Sequence, residues 1–271
     1  MKYRHTMIVM CISLPICVLL RALQLIFTID SGTGFIKQQY ASISTLITLI
    51  ICVTALAVGM LAALTDGIEK NEKNNRPKVS VSSVLLGGMF VYHTVTLIFN
   101  LENSAWYDVL LVLLSLSSAF VFLLYGLKNI YDYHMPLFSL IAPVLYFIIK
   151  LISVFISTST LALVTENIFL IFTNCMLLWF MFEFASFENE IGDTNNKPTR
   201  LFASGLSAIT LCAVNSIPKI IQIAYSKTQI ARGDVAAMLL NISLAVFICA
   251  YVIDNFVDAQ RRTKSAPKHL A

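Results

Sequence analysis

Charge is what this chain has least of. Asp, Glu, Lys and Arg together make up 13% of 271 residues, about half the share of a soluble domain. A water-facing shell around a fold of this size needs more, so a soluble globular protein is excluded. The sequence also lacks HExxH, GxSxG, a Walker loop and GxGxxG, which removes the common sequence signatures of metalloproteases, serine hydrolases, P-loop enzymes and dinucleotide binders. Its four histidines (His5, His93, His134, His269) contain no pair spaced i, i+3 or i, i+4, so no zinc or haem set is expected. Its six cysteines form no CxxC, and all fall inside apolar segments where they serve as small packing residues. No cofactor, no metal, no catalytic group and no nucleic-acid partner are expected.

What is present is long apolar sequence. Hydrophobic residues reach 58%, with a mean hydropathy of +0.79. Eight stretches of roughly 20 residues recur at about 6–27, 43–64, 81–99, 106–127, 136–157, 163–185, 201–224 and 235–256, each long enough to cross a hydrocarbon core of about 30 Å. The expected fold class is therefore all-α, a polytopic helical membrane protein with eight spans. The lipid bilayer is its first partner. With the N-terminus inside, the inner segments hold 13 of the 19 Lys and Arg residues, which predicts a cell-membrane protein with both termini cytoplasmic. Residues 1–20 have the charge pattern of a signal peptide but no small-x-small cleavage site, and are expected to be retained as the first span.

The chain also repeats itself. Asn74-Asn75-Arg76-Pro77 returns as Asn195-Asn196-Lys197-Pro198, and residues 108–130 laid on 234–256 agree at eight of 23 positions. Two leucine-rich segments share roughly one residue in ten by composition, so the match points to duplication. The expected organisation is a first four-helix repeat over 1–131, a second over 132–258, and a basic cytoplasmic tail over 259–271. Four spans per unit is an even number. Both copies then face the same way, related by a pseudo-two-fold axis along the membrane normal. The insertions that separate them, including Asp30-Ser-Gly-Thr-Gly34-Phe35, fall in outer loops.

Ionisable groups inside a span cost about 2.5–3.5 kcal/mol at the helix centre, so each needs a reason. Arg21 and Lys150 lie at similar depth in the first and fifth spans, and each follows a proline (Pro15, Pro143) expected to open its helix. Lys219 follows Pro218 near the outer end of the seventh span, and Glu183 lies near the inner end of the sixth. His93 and Asn215 sit at matching stations of the third and seventh. These six are the candidate ligand-binding residues. Snorkelling accounts for the long cations and interhelical hydrogen bonding for the rest in the commoner case. The sharper alternative is a basic outer vestibule for an anionic or amphipathic small molecule. The tail (Arg261, Arg262, Lys264, Lys268) suits anionic lipids.

The stretch from Arg21-Ala-Leu-Gln24-Leu25 to Asp30-Ser-Gly-Thr33-Gly34-Phe35 resembles a segment of uncharacterised multipass membrane proteins of anaerobic Gram-positive bacteria. The resemblance covers about fifteen residues and implies a bacterial inner membrane, but no activity. Two main functions are compatible with the sequence. One is a small transporter or permease with its pathway between the two repeats. The other is a non-transporting subunit, immunity or assembly factor that binds another membrane protein. An intramembrane enzyme acting on lipids has the least behind it, because its candidate groups are scattered.

Overall fold

The computed structural model describes residues 3–28, 37–65, 68–70, 77–99, 106–131, 138–159, 165–189, 191, 197–226 and 232–258. The Asp30–Phe35 insertion and the basic tail lie outside them. Eight helices follow one another: α1 (Tyr3–Thr28), α2 (Ala41–Ala63), α3 (Pro77–Phe99), α4 (Trp106–Tyr131), α5 (Ile141–Ser159), α6 (Thr165–Glu188), α7 (Lys197–Ser226) and α8 (Arg232–Asn255). Seven are long and apolar enough to cross a membrane, and α5 offers a shorter apolar run, Ile141–Ile156. The eight expected spans are therefore the eight helices, and the chain has the architecture of a multi-pass membrane protein.

Alternation of direction brings the start of α1, the end of α2 and the end of α8 to one end of the bundle, called here the terminal end. Three contacts mark it. Thr6 and Thr65 share a hydrogen bond of 2.8 Å between α1 and the end of α2. Two short strands, β1 (Ile68–Lys70) and β2 (Phe256–Asp258), pair antiparallel with Glu69 opposite Val257. Lys78, at the start of α3, lies 3.8 Å from Asp254.

Helix α7 is the centre. It packs on α1, α2, α6 and α8, and every described side chain from Leu201 to Ser216 is buried. Its composition explains this position. Ala203, Ser204, Gly205, Ser207, Ala208, Cys212 and Ala213 are small, and small residues let helix backbones approach closely in lipid. At Gly59 of α2 an added Cβ would stand 2.2 Å from the Ser207 hydroxyl, which itself donates to the Ala55 carbonyl at 3.2 Å. The hydroxyls of Ser204, Ser207 and Thr210 also return to carbonyls of their own helix. These three hydroxyls are thus partnered inside the packed interior.

A second close pair is α3 with α4. The Ser80 hydroxyl donates to the Gly126 carbonyl, Ser83 donates to the Phe122 carbonyl at 2.6 Å, and Thr94 meets Ser115 at 2.9 Å. Between these groups lies an aromatic block: Phe90 stacks on Phe122, Phe122 meets Phe247 edge-on, and Phe184 contacts Phe247, Tyr125 and Tyr251.

Sequence-adjacent helices pack as the pairs α1–α2, α3–α4, α5–α6 and α7–α8. The cross-contacts differ. α7 reaches into the first half to touch α1 and α2, whereas the principal partners of α3 are α4 and α8. Pro143 also departs from the sequence expectation. It stands in the first turn of α5, where its missing N–H breaks no helical hydrogen bond. Pro15 and Pro218 are inside their helices.

Candidate functional site

The half of the bundle away from the terminal end holds the polar groups that matter. Lys150 of α5 is partly buried. Its Nζ lies 5.6 Å from the Tyr146 ring centre and 5.9 Å from that of Phe147, close enough for both rings to attract the ammonium. Tyr146, one turn earlier on the same face, meets His93 of α3 edge-on at 6.1 Å. From α7, Cys212 comes within electrostatic range of Lys150, as does His93. Asn215 and Ser216 follow Cys212 at i+3 and i+4, on the same face of α7. The structure therefore brings three of the candidate residues, Lys150, His93 and Asn215, to one region between α3, α5 and α7.

Among the described residues Lys150 has no ion pair. The described residues also include buried polar atoms without a hydrogen-bond partner: His93 Nδ1, Tyr146 OH, Asn174 Nδ2, Asn215 Oδ1, Ser216 Oγ and Asn241 Oδ1. Their residues are all at least nine-tenths buried. Counting 1.5 Å per residue from the terminal ends of their helices, His93, Asn174, Asn215 and Asn241 lie at about 21–27 Å. They form a polar layer at one depth, above the aromatic block.

Arg21 is held separately. Its side chain is 1% exposed. The guanidinium carbon stands 4.1 Å from the Phe169 ring centre on α6, and Nη1 donates to Gln24 Oε1 at 2.7 Å. Gln24 Nε2 in turn donates to the Ser44 carbonyl, the Ser44 hydroxyl and the Thr48 hydroxyl, at 2.7, 2.8 and 2.9 Å. This network joins α1 to α2 and is built for holding helices together. Arg21 and Lys150 stand in different inter-helix spaces, Arg21 among α1, α2 and α6, Lys150 among α3, α5 and α7.

Of the other two candidates, Lys219 continues the Cys212–Asn215 face of α7 at i+4 from Asn215, and Glu183 lies on α6. Lys219 is partly buried where α7 leaves the packed interior, among the exposed Ile217, Ile220 and Ile221. Glu183 accepts a 3.4 Å hydrogen bond from Trp179 Nε1 on the outer flank of α6, beside the exposed Phe182.

A further polar centre at the terminal end escaped the sequence reading. Glu188, the last residue of α6, accepts from Tyr125 OH of α4 at 2.9 Å and from Tyr251 OH of α8 at 2.6 Å, both on Oε1. Lys128 Nζ stands 3.8 Å from Oε2. The two tyrosines are one of the eight identities between 108–130 and 234–256, and Glu188 is 63 residues from each. That shared identity was the available signal. It was missed because Glu188 reads as an ordinary charge at the edge of a loop.

Comparison of the chain with protein-family models, with curated proteins and with solved structures returned no match.

Proposed function

We propose that the chain is a small permease-like protein of the cell membrane whose far half binds an anionic or amphipathic small molecule. Lys150 is the fixed cation, and His93, Tyr146, Asn174, Asn215 and Ser216 supply hydrogen bonds. Leaving a buried polar group unpaired costs about 1–3 kcal/mol. Five such groups together cost an amount comparable to a typical folding margin of about 5–15 kcal/mol. A polar occupant that engages several of them recovers much of that cost, and an anion also neutralises the lysine.

The observation that carries this reading is Lys150 itself. It is an ammonium in a membrane interior, without an ion pair among the described residues, within electrostatic range of the buried His93 of α3 and Cys212 of α7. A purely structural lysine at this depth pairs or snorkels. Movement of the anion toward the terminal end would run between the two four-helix repeats, by rocking of one group of helices against the other. Cytoplasmic termini, a bacterial inner membrane and attraction of the basic tail to anionic lipids complete the proposal.

The test is uptake of radiolabelled inorganic phosphate, succinate and taurocholate into proteoliposomes. The proposal expects uptake of at least one by the wild-type protein, loss on Lys150→Met, and retention on Glu183→Gln. Equal uptake by wild type and Lys150→Met refutes the assignment of Lys150.

A further inference from the structure

A permeation route needs a barrier at the end opposite its open site, and the terminal end carries one candidate built from named atoms. We propose that Glu188, with Tyr125, Tyr251 and Lys128, is a latch that keeps the terminal end closed by tying α4, α6 and α8 to one carboxylate. This rests on the permease reading for its purpose, though not for its geometry.

Strong packing runs in two sets, α3 with α4 and α8, and α7 with α1, α2 and α6, and the two sets are joined where α7 packs on α8. Within the first, α3 is welded to α4 by the Ser80, Ser83 and Thr94 hydrogen bonds and by Gly126, where a Cβ would stand 2.9 Å from the Ser80 carbonyl. Within the second, α2 is welded to α7 through Gly59 and Ser207. Between α6 and the pair α4 and α8, by contrast, contact is mainly side chain on side chain. It consists of Phe184 on Tyr125, Phe247 and Tyr251, followed by the Glu188 hydrogen bonds. Aromatic contacts are tolerant of sliding. Two hydroxyls donating to the same carboxylate oxygen are directional and fix the relative positions of the three helix ends.

The placement is also what a duplicated chain provides. Tyr125 and Tyr251 occupy equivalent positions of α4 and α8, and they reach Glu188 from both sides at 2.9 and 2.6 Å. One acid from α6 thus reads the position of both copies of the fourth helix. The latch lies below the aromatic block, and the Lys150 region lies above it. The face of α7 between α6 and α8 runs inward from Gly205, which lies against Phe180, Ile248 and Val252, to Ala208 and then Cys212, so opening of the latch exposes Ala208 on the way to the Lys150 region.

The experiment uses full-length protein in lipid nanodiscs, which expose both ends. Two reporter backgrounds each contain a single cysteine: Ala208→Cys with all six native cysteines replaced, and native Cys17 with the other five replaced. Both sites are buried, and Cys17 lies in the α1–α2–α6–α7 group away from the latch. Each background receives Tyr125→Phe with Tyr251→Phe, or Glu188→Gln, and the rate of reaction with a water-soluble maleimide is measured. Removing hydrogen bonds to a charged acceptor moves an opening equilibrium by about tenfold or more. The expected result is labelling at Ala208→Cys faster by that factor in either latch variant, with Cys17 unchanged. Unchanged labelling at Ala208→Cys, or acceleration at both sites, overturns the latch, the latter by showing general loosening. Neither readout depends on a transported molecule. Failure of the latch with uptake intact, or uptake absent with the latch behaving as described, therefore separates the two proposals.

Discussion

Replacing Gly126 by alanine weighs a favourable backbone effect against an unfavourable packing one, and the structure says which prevails. In a helix interior alanine is better than glycine by about 0.5–1 kcal/mol. At Gly126 the new methyl would stand 2.6 Å from Val84 Cγ2, 2.9 Å from the Ser80 carbonyl oxygen and 3.2 Å from the Val84 amide nitrogen. Two of those three neighbours are backbone atoms of α3 and cannot rotate away, so α3 and α4 must separate. Overpacking of this kind costs about 1–3 kcal/mol, and separation stretches the Ser80–Gly126 hydrogen bond, at about 0.5–1.5 kcal/mol. The net expectation is destabilisation by about 1–3 kcal/mol, the difference of these terms. Gly88, two turns from Thr94–Ser115 on the same helix pair, is the control. A Cβ there meets nothing within 4 Å, so Gly88→Ala should be neutral or stabilising by up to about 1 kcal/mol. Equilibrium unfolding in mixed detergent micelles, with both variants beside wild type, measures the two directions. If Gly126→Ala is as stable as Gly88→Ala, the close packing of α3 on α4 is wrong, and the position of His93 goes with it.

Three other outcomes follow from separate parts of the fold. Gln24→Leu removes three donor contacts to α2 and the Arg21 contact together, and should destabilise by more than about 2 kcal/mol by unfolding, well beyond Thr45→Ala, whose hydroxyl returns to its own helix. Thr94→Val should lose only about 0.6 kcal/mol, the average for an interhelical hydrogen bond in a membrane. Adding Ser115→Ala to Thr94→Val should then change little, since the pair shares one bond. Finally, Tyr125→Phe and Tyr251→Phe should be non-additive in stability, because both hydroxyls end on the same Glu188 oxygen; a double-mutant cycle with coupling near zero would contradict that shared acceptor.

Apolar length made all eight helices legible in the sequence, because a span is a property of one segment. Which helix stands at the centre was not. α7 carries Ser204, Ser207, Thr210, Asn215 and Ser216 and looks less apolar than its neighbours, yet small side chains that bond back to their own helix make it the one that packs on every side. The cations show the same divide. Their depth could be estimated by counting along each segment. Their neighbours could not be counted, because contact between α3, α5 and α7 depends on packing. Pro143 illustrates the margin of error: a shift of a few residues in where α5 begins turns an expected kink into an ordinary first-turn proline. The Glu188 centre was half legible, since the matching tyrosines were visible but the acid that joins them was not.

If Lys150 makes the far half of the bundle admit anions, as proposed, native Cys212, buried within electrostatic range of that lysine, reports on it. With the other five cysteines replaced, the protein is treated in nanodiscs with an anionic sulfonatoethyl and a cationic trimethylammonioethyl methanethiosulfonate, and the two reaction rates are compared. A fixed charge in a low-dielectric cleft changes encounter rates by about tenfold or more. The account predicts that the anionic reagent modifies Cys212 faster by that factor, and that Lys150→Met abolishes the preference. No reaction with either reagent, or equal rates that Lys150→Met leaves unchanged, would contradict it.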